Sequence, residues 1–222
     1  MKKVIFSLLA LVLTVAALAQ NFEGKMTATV KALKVPAEMQ GMESMMNQDI
    51  IITSKDTKTK TEMKSIMGSQ VVIFDSQTKM MTILMDMMGQ KYAITQKVED
   101  DAEAPSGMGF ELEGADIKIT EEKKKIAGYN CKKAVATIAD ESGASITMEF
   151  WFTEEVAMPN NNLPFSGTMM EYTAEIEGMT LQYSVTAVTK ETVALTEFEI
   201  PAGYQVKTME EMNALFPMMG NE

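Results

Sequence analysis

Methionine provides the side chains with the most distinctive chemistry in this chain, which has 23 of them among 222 residues. Met39, Met42, Met45 and Met46 are close together in the sequence, and thioethers are soft ligands that select Cu(I). The chain has no histidine, the common ligand of Cu(II) and zinc. One interpretation is therefore a Cu(I) site at these four residues. The alternative is an apolar groove lined by methionine, because its flexible side chain fills irregular apolar space.

Catalytic groups are scarce. All 20 basic residues are lysine, and no histidine is available as a general base. Ser76 and Lys79 match the S-x-x-K pattern of penicillin-binding enzymes, but they fall in a predicted β-turn, where that pattern lacks its structural context. Cys131 is predicted to be a small buried hydrophobe, with a thiol activated by neighbouring lysines as the alternative. We expect no enzymatic activity and no cofactor.

The charge balance limits the partners. The chain has 31 acidic and 20 basic residues, which gives a formal net charge of −11. A polyanion is repelled by such a field, so nucleic acid is not an expected partner.

Residues 1–19 have the pattern of a secretory signal peptide, with Lys2 and Lys3 before an apolar run and Ala17 and Ala19 at its exit. The run is shorter than the roughly 20 residues that span a bilayer. No cysteine stands at the exit for lipid attachment. We expect residues 20–222 to form a single β-rich domain, periplasmic or secreted, that does not span a membrane when mature.

Alternating apolar and polar residues predict the elements that position these side chains. The clearest alternation covers residues 22–32, and short turn signals between the segments favour antiparallel neighbours. The fold class is therefore mainly β, an antiparallel meander. Further strands are predicted at 49–54, 58–67, 70–75, 79–87, 91–95, 115–120, 130–139, 146–152, 170–176, 179–187 and 193–200.

Two segments have helical spacing instead. Residues 36–47 begin with a proline and place Met39, Met42 and Met46 on one face. Residues 208–216 begin with a T-x-x-E capping box. This second helix would place Met209, Met212 and Phe216 on one face.

The segment 128–134, Gly-Tyr-Asn-Cys-Lys-Lys-Ala, resembles the G-Y-x-C-K-K segment of secreted bacterial proteins in the uncharacterised DUF family 4412. Residues 150–153 and 198–204 follow in the order that this family shows. More remotely, the chain is similar to the LolA/LppX-like lipoprotein carriers, although the arginine that those carriers commonly use as a latch is missing here.

The second resemblance implies a single curved antiparallel sheet or half-barrel with helices covering the concave face. It also implies a groove for a hydrophobic small molecule or acyl chain. The ligand-facing residues would be Met39, Met42, Met46, Met209, Met212 and Phe216. We expect a non-enzymatic, lipid-binding carrier, with the Cu(I) protein and an envelope scaffold without a small ligand as alternatives.

Overall fold

A computed structural model describes residues 22–65, 68–87, 89–98, 112, 114–139, 145–159, 163, 165–176 and 178–215. Within these residues the fold is mainly β, as predicted, with one short α-helix and three 3-10 turns. The strands are β1 Gly24–Lys34, β2 Gln48–Lys55, β3 Lys58–Ser65, β4 Gly68–Asp75, β5 Met80–Met87, β6 Gln90–Lys97, β7 Asp116–Ile126, β8 Tyr129–Ala139, β9 Ser145–Thr153, β10 Thr168–Ile176, β11 Met179–Lys190 and β12 Gln205–Lys207. The α-helix, α1, is Met209–Leu215.

All twelve strands belong to one sheet, in the order β12-β6-β5-β4-β3-β2-β1-β11-β10-β9-β8-β7. Every neighbouring pair is antiparallel except β12 with β6, which is parallel. The predicted antiparallel meander is confirmed within β1–β6 and within β7–β11, and the long-range pair β1–β11 joins the two runs. The sheet is open, with β7 and β12 as its edges, and a twisted open sheet of this width is expected to curl.

Cross-strand partners share a face, so the register defines two faces. We call the inner face the one that carries Met26, Ile52, Val72 and Ile83, and the outer face the opposite one.

The main hydrophobic core lies against β1 and β8–β11. Phe150 and Phe152 are fully buried, and Tyr172 stacks on Tyr183 with ring centroids 4.9 Å apart. Loops close this core, with Phe165 packing 4.7 Å from the ring of Phe152. Further loop residues in the core are Leu112, Val156, Met158 and Leu163. The prediction that helices cover the concave face is therefore not supported, because loop side chains take that place over the main core.

The strands β4–β6 carry three smaller clusters. Phe74, Met81 and Val98 pack together on the inner face near one end of the strands. Met212 of α1 packs on Tyr92 and Ile94, also on the inner face. The third cluster lies on the outer face and consists of Ile73, Leu84 and Ala93 with Val71, Phe198 and Tyr204.

The C-terminal segment therefore passes from one face of the sheet to the other. The 3-10 turn Leu195–Phe198 and Tyr204 pack on the outer face, β12 adds to the edge of β6, and α1 packs on the inner face. The short strand β12 is the point at which the chain turns around the edge.

Three local predictions are wrong. Residues 36–47 form two 3-10 turns, Ala37–Met39 and Glu43–Met45, because Gly41 lies between them at a φ of 85°, which breaks a right-handed helix. Residues 193–200 contain a 3-10 turn instead of a strand. The strand predicted at 115–120 ends too early, because the charged run 121–125 continues β7 through a register shift.

The helix predicted at 208–216 is confirmed as α1. Its capping box is present, since the Glu211 amide donates to Thr208 Oγ1 at 3.1 Å and the Thr208 amide donates to Glu211 Oε2 at 2.8 Å. The predicted signal peptide and Phe216 lie outside the described residues. Within the described part of the chain, none of the helices has the length and apolar character that crossing a membrane requires.

Candidate ligand-binding face

The inner face of β1–β6 is built from rows of side chains that run across the strands. Backbone pairing aligns two apolar central rows. One row is Met26, Ile52, Thr61, Val72, Ile83 and Ile94, and the other is Ala28, Ile50, Met63, Gln70, Met85 and Tyr92. At about 4.8 Å between strands, six strands give rows about 24 Å long.

The middle of these rows is half-buried, whereas both ends are covered. On β1 and β2, Met26 and Ile50 are buried by the main core. On β6, Tyr92 and Ile94 are buried under Met212. Between them lies a stretch that we call the inner trough, consisting of the half-buried Ile52, Thr61, Met63, Val72, Ile83 and Met85.

Three structures therefore bound the inner trough. The main core lies along one side and α1 along the other. The cluster of Phe74, Met81 and Val98 closes one end, with Val72 and Ile83 packed against it. A trough with an apolar floor and defined walls can hold an apolar chain by excluding it from water.

Neutral polar side chains flank the central rows. Gln48 and Gln90 stand on the inner face toward one end of the strands, and Ser54, Thr59 and Gln96 stand toward the other. The Tyr92 hydroxyl donates to the side-chain oxygen of Gln90. Hydroxyl and carboxamide groups of this kind are able to donate and accept hydrogen bonds without carrying charge.

The predicted groove residues are divided between two places. Met212 is buried at the margin of the inner trough, whereas Met209, on the same helix, is 41% exposed. Met39 and Met46 are half-buried in the connection between β1 and β2. The structure does not bring these two groups together into one described cluster, and the groove that they were predicted to form stays a prediction.

The predicted Cu(I) ligands all lie in that same connection. Met42 and Met45 are 41% and 37% exposed. Met39 is the last residue of the first 3-10 turn, and Met46 directly follows the second. The copper site stays a prediction.

Sequence reasoning missed the floor of the inner trough. The alternation in β2–β5 predicts strands, but it does not align the faces of neighbouring strands with one another. The signal was nonetheless present, because Ile50 with Ile52, Thr61 with Met63, and Ile83 with Met85 each share one face.

A cavity of about 440 Å³ lies on the outer face, between β3–β6 and the segment 196–204. Lys60 donates to Glu197 at 3.0 Å and pairs with Glu62 at the same distance. Burial alone would lower the pKa of Lys60, but both carboxylates outweigh it and raise this pKa. Lys91 lies 5.7 Å from the centre of the Tyr204 ring in the same cavity.

A second cavity, of about 540 Å³, is formed at the β7–β8 hairpin around Cys131. Cys131 is 1% exposed, which confirms the prediction of a small buried hydrophobe. Burial raises the pKa of its thiol, and the charge of Lys124 only partly opposes that effect. Lys124 lies over the Trp151 ring at 4.3 Å and pairs with Glu171 at 2.5 Å. A thiol with a raised pKa is a poor nucleophile at neutral pH.

Solved structures with a similar chain path come from different proteins. PNGF-II, in its P21 crystal form, is 16% identical over 86% of this chain, with a TM-score of 0.47, and this chain spans 32% of the PNGF-II chain. The complex of MucA and MucB from Pseudomonas aeruginosa gives 13% identity over 83% of this chain and 59% of that chain, with a TM-score of 0.46. For LprF from Mycobacterium bovis the identity is 10%, over 82% of this chain and 90% of that chain, with a TM-score of 0.40. These low values support no transfer of function.

No curated protein matches the chain in sequence. The resemblance to DUF family 4412 is not shown by the comparisons. A different family does match, the one described as "N-glycanase peptide, N-terminal domain", over residues 39–163. That match runs from the connection after β1 to the loop after β9. Because it covers more than half of the 222 residues, the chain belongs to the N-glycanase peptide N-terminal domain family.

Proposed function

We propose that this protein is a non-catalytic binding protein of the bacterial cell envelope whose inner trough holds the apolar chain of a lipid-like ligand. The observation that carries the proposal is the row of half-buried apolar side chains across β2–β5, between a closed core and α1. At the two ends of the same rows, Met26, Ile50, Tyr92 and Ile94 are buried. A ligand that covered the trough would bury the side chains between them.

The energetic argument follows from area. Each apolar Å² removed from water contributes about 25 cal/mol, so a long hydrocarbon chain gains several kcal/mol by lying along the trough. Met63 and Met85 suit such a site, because methionine adapts its shape to different occupants. The residues that bind are therefore expected to be Ile52, Met63, Val72, Ile83 and Met85.

The test uses a neutral fluorescent apolar probe, N-phenylnaphthylamine, with protein freed of bound lipid. We expect saturable binding that a lipid-like competitor displaces. Ile83→Lys places a charge in the trough and is expected to weaken binding at least about tenfold, because a buried unpaired charge is strongly unfavourable. Thr82 precedes Ile83 in β5 and lies on the outer face. The Thr82→Lys variant is therefore the matched control, and it is expected to bind the probe normally.

Two outcomes would contradict the proposal. One is an absence of saturable binding in a protein that unfolds cooperatively. The other is binding that occurs only after residues 216–222 are removed, which would assign the trough to the C-terminal segment of the chain itself.

A second candidate function is recognition of a glycan beside a catalytic unit, and the family membership favours it. The outer-face cavity would be the site, since it combines the Tyr204 ring with Asp86, Glu62 and Lys91. Isothermal titration calorimetry with glycans released from asparagine tests this candidate function. Tyr204→Ala is expected to abolish the heat of binding, while Ile83→Lys leaves it unchanged.

A further inference from the structure

The two faces of β1–β6 differ completely in charge. No Asp, Glu or Lys occupies the inner-face rows of these six strands, whose members are given by the strand pairing. The outer-face rows of the same strands include Lys25, Lys60, Glu62, Lys64 and Asp86. Since charged residues make up 23% of the chain, the inner face is strongly depleted.

From this depletion we infer that the inner trough takes a lipid-like ligand with an uncharged polar head, such as an acylglycerol or a fatty amide, and discriminates against fatty acid anions. The inference rests on the proposed function, because it concerns the same trough. It adds the chemical class of the ligand, which the apolar floor alone does not define.

The lysines near the trough are not placed to receive a carboxylate. Lys60 and Lys64 project from the outer face, and both pair with Glu62. Lys207 stands at the inner-face register position beside Ile94, but its amino group lies 3.8 Å from Glu211 of α1. An anionic head group would therefore lose its hydration without gaining a cation partner, which is costly.

The helix at the margin adds to this discrimination. α1 carries Glu210 and Glu211 in its first turn, at the side of the trough. The formal net charge of −11 also repels an anion before it arrives. A fatty acid anion is thus disfavoured both by the trough and by the field around it.

Neutral head groups do have partners here. Gln70 lies within the central rows between Met63 and Met85, and the residue is exposed. Gln48 and Gln90 stand farther along the same end of the strands. Carboxamides both donate and accept, so they suit ester, hydroxyl and amide groups.

The test is a competition between ligands that share one acyl chain and differ only in the head. We would measure the displacement of N-phenylnaphthylamine by four ligands: a monoacylglycerol, a primary fatty amide, the fatty acid and the alkylamine. The measurement is made at about pH 8, where the acid is ionised and the amine is protonated. We expect the two neutral ligands to compete at concentrations at least about tenfold lower than the fatty acid. A fatty acid as effective as the amide would overturn this inference and leave the proposed function intact. Failure of every ligand to compete would overturn both.

A charge introduced at the trough should invert the selectivity. Gln70→Lys is expected to strengthen fatty acid binding about tenfold and to weaken alkylamine binding. Ser69→Lys, on the adjacent exposed outer-face position of β4, is the matched control and is expected to change neither. If both variants shift fatty acid affinity equally, the effect comes from the overall charge, and the trough does not select the head group.

Discussion

Two groups of strands in this sheet, β8–β11 and β3–β5, have the same alternation of apolar and polar residues, but their inner faces are covered differently. On β8–β11 the inner face is closed by loops, and Phe150, Tyr172 and Tyr183 are buried in one continuous core. On β3–β5 the inner-face residues Val72 and Ile83 are only half-buried. The difference indicates that the covered half provides most of the stability, whereas the open half can change its surface without unfolding the protein.

The largest expected effect is in the covered half. Phe150→Ala removes a ring that is fully buried, and it is expected to lower the free energy of unfolding by about 3–5 kcal/mol. Urea unfolding followed by Trp151 fluorescence measures this change. Val72→Ala, a truncation on the open half, is the control and is expected to cost about 1 kcal/mol. Equal losses at the two sites would contradict the division into covered and open halves.

The next effect is acid sensitivity in the open half. Asp75 accepts from Lys58 Nζ at 2.6 Å, from Thr57 Oγ1 at 2.8 Å and from the Gln77 amide at 3.1 Å. Burial acts to raise the pKa of Asp75, but these contacts outweigh it and lower the pKa to about 2. A lowered pKa stabilises the fold at neutral pH, and that stabilisation is lost as the pH falls from the unfolded value near 4 to about 2.

The loss amounts to about 2 kcal/mol over that interval. Asp75→Asn is expected to be less stable than wild type at pH 7 and to lose less on acidification. Urea unfolding at pH 7 and at about pH 2, followed by circular dichroism, gives the acid-induced loss of stability for each protein. A variant that shows the same acid loss as wild type would show that other carboxylates cause it.

A conservative substitution on each half makes a sharper comparison. Val185 is 3% exposed in the covered half, and Val72 is half-buried in the open half. Val185→Thr buries a hydroxyl and is expected to cost about 1–2 kcal/mol, whereas Val72→Thr is expected to cost less than about 0.5 kcal/mol. Thermal unfolding of the two variants against wild type measures both values. The reverse order would show that the trough is closed in solution.

The smallest effect concerns α1, at the margin of the trough. Thr208→Ala removes the side-chain oxygen that caps the first turn and is expected to destabilise the helix by about 0.5–1 kcal/mol. Faster amide hydrogen exchange at Met212 would report this change. Exchange in β8–β10 serves as the internal control and should not change, since Met212 of α1 packs on Tyr92, Ile94 and Met85, which belong to β5 and β6.

Much of the strand pattern was predictable, because alternation reports which residues share a face. Strands near 22–32, 70–75 and 179–187 were located to within a few residues. Alternation does not report what lies opposite a face, however. The burial of Phe150 under loop residues and the half-burial of Val72 have the same sequence signal, and only tertiary packing separates them.

The wrong predictions have local causes. Residues 36–47 have helical spacing, but the positive φ of Gly41 interrupts the helix. The segment 193–200 was predicted as a strand, yet residues 195–198 form a 3-10 turn, Val193 is buried, and Phe198 packs on the outer-face cluster. The candidate site was only partly predictable: Met212 was named from its helical face, but periodicity alone cannot order the strands that bring Tyr92, Ile94 and Met85 to it.

The two edges of the sheet determine how readily the protein can aggregate. An exposed strand edge offers unpaired backbone groups to any neighbouring chain, and this can start aggregation. At one edge β12 pairs with the centre of β6 in parallel. At the other, β7 carries Lys118, Lys123 and Lys125 and a register shift, features that disfavour a further strand. The protein can thus keep a wide sheet unclosed, and one of its surfaces accessible, without recruiting copies of itself into longer sheets.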